Sequence, residues 1–288
     1  MNNFEFSISN LTSYVKSSLP FTILRNYKYK FRRKNLRGDK HNLSDMRSIL
    51  VDELGLKAGD SLVIHCGFGF LNADYDPEQL IELLKDVVGE RGRIMMPFYP
   101  PGLSRHWLQS NRVFDATSVR CSTGVLAQVF SQSEDVVIST HPIKAVAVWG
   151  SDAEEIVQGH EHCQYPYDER SPYYKFSLQP KSKVIGLGVR NCSLVHMLED
   201  VFEDNKSYLY SDETVQGRVV THNGTLIVDT YFHHGKYALM ESKDFLDKHC
   251  HDIVTITDNY NFVCYSIDID KLIKKGNELF STGVNRRW

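Results

Sequence analysis

The sequence comprises 288 residues, of which 42% are hydrophobic and 24% are charged, and its formal net charge is -3. This composition can bury a core, which argues against intrinsic disorder, and the net charge gives no support for nucleic-acid binding. No apolar run approaches the roughly 20 residues of a membrane span, and the start of the chain lacks the pattern of a signal peptide. Because the six cysteines form no CxxC pair, we expect a cytoplasmic protein with reduced thiols.

The first 44 residues differ from the rest by their basic charge. The segment RNYKYKFRRKNLRGDK carries eight Lys or Arg residues against one Asp. This leader could make weak contact with an anionic membrane surface. It could equally be a solvated, partly ordered arm.

From residue 45 onward, helical patterns alternate with short β-rich runs. The first helix is DMRSILVDELG, and the next, DPEQLIELLKDVVG, has Asp76 as its cap, Pro77 in its first turn and Gly89 at its end. The later helical patterns are CSTGVLAQVFSQ, SDAEEIVQGH with Ser151 as its cap, and SLVHMLEDVF. The predicted strands are DSLVIHCG, GRIMMPFY, DVVIST, AVAVWG and SKVIGLGV. This alternation predicts layers of helices and strands.

The last third has a stronger β pattern. GRVVTHNGTLIVDTYF places Asn223-Gly224 between two β-branched runs, which predicts a hairpin. DIVTITDNYNFVCYSID predicts a second hairpin, and IDKLIKKGNELF a closing helix. We therefore predict an α/β fold for residues 45–288, layered α/β/α with a central mixed sheet. A smaller antiparallel β lobe is expected near the C-terminus, at about 205–266.

Four segments carry side chains or glycines suited to binding, and each has a plainer interpretation. HCGFGFL is either a phosphate-binding loop or a tight turn. GHEHC favours a polar loop over a metal site, because no second ligand cluster is present. In STHPIKAVAVWG, Pro142 holds His141 at the edge of a sheet, as part of a site or of a turn. YPYDERSPYY, which contains Glu169, is an irregular segment that either lines a pocket or is a loop held by aromatic side chains.

The segment NCSLVHMLEDVF contains the clearest candidate for a base. Ser193 is predicted to cap a helix, with His196 in its first turn and Glu199 three residues further on the same face. A neutral His196 could take a proton from an attacking amine. From these residues alone, a half-buried histidine paired with Glu199 is equally consistent.

The order of the segments resembles the antibiotic acetyltransferase family, the aminoglycoside 3-N-acetyltransferases and their relatives. The resemblance extends from about residue 45 to 250, and each motif is loose, but six occur in the family's order. They are LGLKAGDSLVIHCGF, DVVGERGRIMMPF, FDATSVRCSTGVLAQVF, ISTHPIKAVAVWG, YDERSP and VIGLGVRNCSLVHMLE.

The resemblance implies transfer of an acetyl group from acetyl-coenzyme A to an amine, without a metal and without a covalent enzyme intermediate. It makes His196 the general base and Glu199 its acidic partner. We further expect that His233 or His234 assists. The residues it places near the coenzyme are His65, Cys66, Gly67, His141, Pro142 and Ser193. Four positions depart from the family pattern: Cys66 and Gly67 replace two serines, Ile138 an arginine and Ala145 a serine.

The acceptor side is neutral to basic where the family's antibiotic-modifying members present carboxylates. TYFHHGKY and YPPGLSRHWLQSNR are the segments concerned. We therefore expect a small anionic amino-sugar acceptor, such as a nucleotide-linked one used in glycan or antigen biosynthesis. The candidate acceptor-binding residues are Tyr99, Arg105, Trp107, Glu169 and His234. The alternatives are an enzyme that acetylates an aminoglycoside, or a non-catalytic family member that binds a ligand or partner. The protein is expected to be a monomer or a homodimer.

Overall fold

The computed structural model describes residues 39–233, 242–257 and 261–282. The helices are α1 (Leu43–Ser48), α2 (Pro77–Val88), α3 (Ser104–Gln109), α4 (Val125–Phe130), α5 (Ala153–Val157), α6 (Pro172–Ser177), α7 (Leu194–Phe202), α8 (Ser242–His249) and α9 (Ile269–Ser281). The strands are β1 (Ser61–Cys66), β2 (Arg93–Pro97), β3 (Val113–Phe114), β4 (Val136–Ile138), β5 (Val146–Trp149), β6 (Ser182–Leu187), β7 (Val215–Thr221), β8 (Gly224–Thr230), β9 (Val254–Thr257) and β10 (Cys264–Asp268). Helix α1 continues into a π-helical turn at Ile49–Glu53.

Helix α2 has the boundaries that its sequence predicts. Asp76 and Gln79 form a reciprocal capping box, and Pro77 occupies the first helical position. Gly89 ends the helix with φ 65°, a conformation that favours glycine. Its apolar face, which includes Leu80 and Leu84, is fully buried.

Seven strands form a mixed central sheet in the order β4-β5-β2-β1-β6-β10-β9. Strand β1 is parallel to both β2 and β6, whereas β5 pairs antiparallel with β2, and β10 pairs antiparallel with β6. The carboxyl ends of the three parallel strands therefore meet at one edge. Such an edge is where open α/β sheets bind ligands.

The sheet separates two hydrophobic layers. Leu62 and Ile64 of β1 pack in the layer that holds helices α1, α2 and α4. Val63 packs in the opposite layer, with helices α5, α6, α7 and α9. Because alternate residues of a strand point to opposite faces, this arrangement confirms the predicted α/β/α layering around a mixed sheet.

The smaller sheet has the order β3-β7-β8. Strands β7 and β8 form the predicted antiparallel hairpin, in which Thr221 pairs with Gly224. Strand β3 adds to it in parallel. The second predicted hairpin does not join this lobe, because β9 and β10 extend the central sheet instead. The predicted division into a leader up to residue 44, an α/β domain from residue 45 and a β-rich lobe from about residue 205 stays a prediction.

Some local expectations were wrong. The segment after β2, for which no helix was predicted, contains helix α3, which packs Trp107 and Leu108 into the core. The second half of YPYDERSPYY forms helix α6, because Ser171 caps it and Pro172 suits its first turn. Ser151 does not cap α5, which begins after Asp152.

Most of the leader, residues 1–38, lies outside the described residues, and so do residues 258–260, which include the predicted tip of the second hairpin. Within the described ranges, no helix is long and apolar enough to cross a membrane. All six cysteines are present as free thiols.

Candidate active site

A cavity of about 340 Å³ opens at the carboxyl ends of the parallel strands. Its walls come from the end of β1, the segment after β2, the turn between β4 and β5, and the start of α7. The residues that line it are Ile64, His65, Cys66, Met96, Pro97, Tyr99, Ser122, Thr123, Ala127, Lys144, Tyr167, Val189, Asn191, Cys192, Ser193 and His196. Five candidates from the sequence therefore share one cavity: His65, Cys66, Tyr99, Ser193 and His196.

His196 and Glu199 form a hydrogen-bonded pair on α7. The His196 Nδ1 atom lies 2.9 Å from the Glu199 Oε2 atom. The His196 side chain is 23% exposed and that of Glu199 only 9%. Since the ionised carboxylate can only accept a hydrogen bond, it orients Nδ1 as the donor and leaves Nε2 with the lone pair of a neutral imidazole.

His65 contacts the start of α7 from the end of β1. Its Nε2 accepts a hydrogen bond from the Ser193 backbone N–H at 3.0 Å and lies 3.2 Å from the Ser193 hydroxyl. Burial, with a smaller contribution from the charge of His196, lowers the pKa of His65 to about 4. His65 is therefore neutral at physiological pH. Ser193 occupies the predicted N-cap position of α7, but its side chain makes no capping hydrogen bond and contacts His65 instead.

Tyrosine hydroxyls form a second wall of the cavity. The Tyr99 hydroxyl lies 2.5 Å from that of Tyr173 and 3.1 Å from that of Tyr167. Burial raises the pKa of Tyr99 to about 12, so the network is uncharged. Tyr167 packs against the His196 ring, with centroids 5.5 Å apart. The sequence analysis assigned no role to Tyr167, since nothing local indicates that its segment approaches α7.

His233 lies beside His196 at the end of the described part of this segment. Its ring is 5.0 Å from His196 and stacks on Tyr210 at 4.3 Å. The Nε2 atom is buried and has no hydrogen-bond partner among the residues that the structure describes. Burial first, then the charges of His196 and Lys144, keeps the pKa of His233 well below its usual range. One potential ligand atom from each of His196, Glu199 and His233 lies within 4.8 Å of the others, a grouping that could also hold a metal ion.

Lys144 is a cavity residue that the sequence analysis missed. It follows His141-Pro142 in the turn between β4 and β5, and its Nζ lies 4.4 Å from the centroid of the Tyr99 ring. Burial lowers its pKa to about 8. A lysine two residues after the His-Pro pair was visible in the sequence, but only the fold shows that it reaches the cavity.

His141 and Pro142 are buried behind this turn and do not line the cavity. The Nδ1 atom of His141 accepts hydrogen bonds from the backbone N–H groups of Ile143 at 3.3 Å and Lys144 at 3.2 Å. The ring stacks on that of His160 at 4.5 Å. His141 thus holds the backbone of the turn that carries Lys144.

The positions where the chain departs from the family pattern have different surroundings. Ala145 is fully buried in the core, and Ile138 packs against the same cluster from β4. Gly67 has no space for a side chain, because an added Cβ would lie 2.6 Å from Val189 Cγ1. The side chain of Val189 therefore occupies the room that a serine at position 67 would need.

The remaining acceptor candidates that the structure describes lie away from the cavity. Trp107 is 6% exposed and packs in the core, so it offers no ring face to a sugar in this conformation. Arg105 is exposed and borders a separate pocket with Glu213 and Phe232. Glu169 is exposed outside the cavity wall. His234 lies outside the described residues.

The two thiols in the cavity wall are not activated nucleophiles. Burial raises the pKa of the Cys66 thiol, with a smaller effect of Cys264, and raises that of Cys192 to about 12. Since the thiolate is the reactive form of cysteine, neither thiol is suited to forming a cysteine-linked intermediate.

Comparison with solved structures shows this fold in acetyltransferases. AAC-IIIb in a binary complex with CoASH superposes with a TM-score of 0.69 at 17% identity, covering 85% of this chain and 98% of that chain. AAC-VIa bound to sisomicin gives a TM-score of 0.66 at 20% identity, and the match covers 85% of this chain and 98% of that chain. The YokD protein from Bacillus subtilis gives a TM-score of 0.67 at 16% identity, and the match covers 90% of this chain and 100% of that chain.

The sequence itself identifies the family. The sequence model described as aminoglycoside 3-N-acetyltransferase matches residues 63–273, well over half of the chain. The match begins within β1 and ends within α9, so it includes every wall of the cavity. The chain therefore belongs to the aminoglycoside 3-N-acetyltransferase family.

Proposed function

We propose that this chain is a coenzyme A-dependent N-acetyltransferase that acetylates an amino group of an amino-sugar acceptor, with His196 as the general base. The observation that carries the proposal is the His196–Glu199 pair in the wall of a cavity at the carboxyl ends of three parallel strands. The family match gives the reaction class.

In this mechanism, the acceptor nitrogen attacks the carbonyl carbon of the acetyl thioester. His196 Nε2 takes a proton from that nitrogen, and Glu199 stabilises the imidazolium that forms. The carbon–sulfur bond then breaks, and the departing thiolate receives the proton to give free coenzyme A. The products are the N-acetylated acceptor and the thiol, so atoms and charge balance.

The cavity suits the reacting ends of the two substrates rather than the whole coenzyme. Its walls combine apolar side chains, such as Ile64 and Val189, with the hydroxyls of Thr123 and Ser193. Apolar surface fits the thioester chain. The Thr123 hydroxyl donates to the Pro97 carbonyl and the Ser193 hydroxyl lies 3.2 Å from His65 Nε2, so either must reorient to donate to the oxygen that gains charge during attack. His65 supports this arrangement by tying the end of β1 to the start of α7.

The comparisons bear on the choice of acceptor. The family model is that of aminoglycoside 3-N-acetyltransferases, and AAC-VIa is bound to sisomicin. These relatives favour an aminoglycoside-type acceptor over the nucleotide-linked amino sugar expected from the sequence. A role in glycan or antigen biosynthesis gains no support from them.

A thiol-release assay with acetyl-coenzyme A tests the proposal. The acceptors are sisomicin, apramycin and glucosamine, and the product is checked by mass spectrometry for one added acetyl group. We expect thiol release that requires both an acceptor and His196. Binding of acetyl-coenzyme A without transfer to any amine would instead support a non-catalytic member of the family.

A further inference from the structure

Lys144 is held at the cavity by its backbone as well as by its side chain. Its backbone N–H donates to His141 Nδ1 at 3.2 Å, which fixes the turn between β4 and β5. Its aliphatic chain is half-buried, and Nζ lies over the Tyr99 ring at 4.4 Å from the centroid. Tyr99 is itself tied to Tyr173 and Tyr167. The ammonium group therefore has a defined position in the wall.

Nothing in the described part of the chain neutralises this charge. No ion pair joins Lys144 to a carboxylate among residues 39–233, 242–257 and 261–282. Glu199 is engaged by His196. His141 and His233, whose pKa values are lowered by burial, are neutral. A partly desolvated cation without a counter-ion is costly unless a ligand supplies the opposite charge.

Lys144 and the proposed base His196 line the same cavity. The Lys144 Nζ atom lies over the Tyr99 ring, and the Tyr99 hydroxyl is 3.1 Å from that of Tyr167, whose ring packs against His196 with centroids 5.5 Å apart. A group bound to Lys144 would therefore be close to the amine that His196 deprotonates.

We propose that Lys144 binds a carboxylate or phosphate group of the acceptor, so that the chain prefers amino sugars that carry an anionic group. This inference rests on the proposed N-acetyltransferase function and narrows its acceptor. A polycationic acceptor would meet like charge at this wall, whereas a carboxylate or phosphate gains a charge-assisted hydrogen bond. The preference would separate this chain from the relatives whose structures contain aminoglycosides.

Calorimetric titration in the presence of coenzyme A tests the inference. The ligands are glucosamine 6-phosphate and glucosamine, which differ only in the phosphate. The variants are Lys144→Met, which keeps length without charge, Lys144→Arg, which keeps the charge, and Lys57→Met, an exposed lysine outside the cavity. We expect the wild-type protein to bind the phosphorylated sugar about tenfold more tightly, a ratio within the range of one hydrogen bond to a charged group.

Loss of that ratio in Lys144→Met, with its retention in Lys144→Arg and Lys57→Met, would support the inference. Equal or absent binding of the two sugars by the wild-type protein would overturn it, and so would an unchanged ratio in Lys144→Met. The phosphate groups of coenzyme A are a second anion that Lys144 could bind. Titration of coenzyme A and of pantetheine, which lacks phosphates, tests whether Lys144 binds the coenzyme instead of the acceptor. If Lys144→Met weakens coenzyme A alone, the residue binds the coenzyme and the inference is wrong. Acetyl transfer is measured separately, so failure of the proposed function is recognised by absent thiol release.

Discussion

The Glu199 carboxylate lies 2.9 Å from the His196 imidazole, within one turn of a single helix, and is almost fully buried. A buried carboxylate beside a half-buried imidazole fixes which ring nitrogen carries the proton. It also stabilises the positive charge that the ring acquires when it accepts a proton. This relationship is what makes His196, rather than His65 or His233, the proposed base.

Replacement of His196 tests that assignment. We expect His196→Asn to lower kcat by about 10²–10⁴, the usual contribution of a general base, with the affinity for acetyl-coenzyme A unchanged. Glu199→Gln keeps the size of the side chain but not its charge, and we expect a smaller loss. The measurements are initial rates of thiol release and calorimetric titration of the coenzyme.

The exposed His162 provides the matched control. Its side chain is 69% exposed and does not line the cavity, so His162→Asn should retain full activity. Wild-type kcat in His196→Asn would contradict the assignment. If acetyl-coenzyme A affinity falls together with kcat, the loss would reflect binding rather than proton transfer.

The part of the site that could be predicted from sequence is the part made by local spacing. His196 and Glu199 are three residues apart on one helix, so their pairing follows from helical geometry. Likewise, the alternation of strands and helices was sufficient to predict the layered α/β fold. Neither inference depends on which segments distant in the sequence come into contact in the fold.

Lys144 and Trp107 show what such reasoning could not reach. Lys144 enters the cavity because β5 pairs with β2 and the preceding turn reaches the strand ends, which is a long-range arrangement. Trp107 was expected to face a ligand, but helix α3 begins at Ser104 without a side-chain cap and buries the indole. In both cases tertiary packing decides where a side chain lies, and local composition does not reveal it.

Gly67 and Val189 are expected to be energetically coupled. An added Cβ at Gly67 would lie 2.6 Å from Val189 Cγ1 and 2.8 Å from Phe70 Cδ2. We therefore expect Gly67→Ser to lower the free energy of unfolding by about 1–3 kcal/mol through overpacking. The double variant Gly67→Ser/Val189→Ala should recover part of this loss, because it removes the nearer methyl group. Urea unfolding of both single variants and the double variant measures the coupling. Strict additivity of the two single effects would show that the residues do not compete for this space.

Anion binding at the cavity should weaken as the pH rises from 7 to 9. The pKa of Lys144 is lowered to about 8 by burial, so the ammonium is largely protonated at pH 7 and largely neutral at pH 9. Three neighbouring groups stay uncharged in this window: burial raises the pKa of Tyr99 to about 12 and keeps the pKa values of His141 and His233 well below 6.5. We expect the dissociation constant of glucosamine 6-phosphate to rise roughly fivefold to tenfold, within the range of one charge-assisted contact.

The Lys144→Arg variant is the control for this pH dependence. Arginine stays protonated throughout the window, so its affinity for glucosamine 6-phosphate should be nearly constant between pH 7 and 9. The same decline in both proteins would assign the titration to another group. A constant affinity in the wild-type protein would show that Lys144 does not lose its charge near pH 8.

Asp200 should make the folded protein less stable as the pH rises from acid to neutral. Its carboxyl group accepts hydrogen bonds from the Tyr210 hydroxyl at 2.7 Å and the Tyr167 N–H at 3.0 Å. Burial nevertheless raises its pKa from 3.8 to about 8. Between these values the folded state retains a proton that the unfolded state releases, so the free energy of unfolding decreases with pH and levels off above 8. The slope is at most about 1.4 kcal/mol per pH unit.

In Asp200→Asn the amide can accept from the Tyr167 N–H and donate to the Tyr210 oxygen, and it does not titrate. Relative to this variant, we expect the wild-type protein to lose about 1–2 kcal/mol between pH 5 and 7 in urea unfolding, and parallel pH profiles would mean that Asp200 is ionised in the folded state.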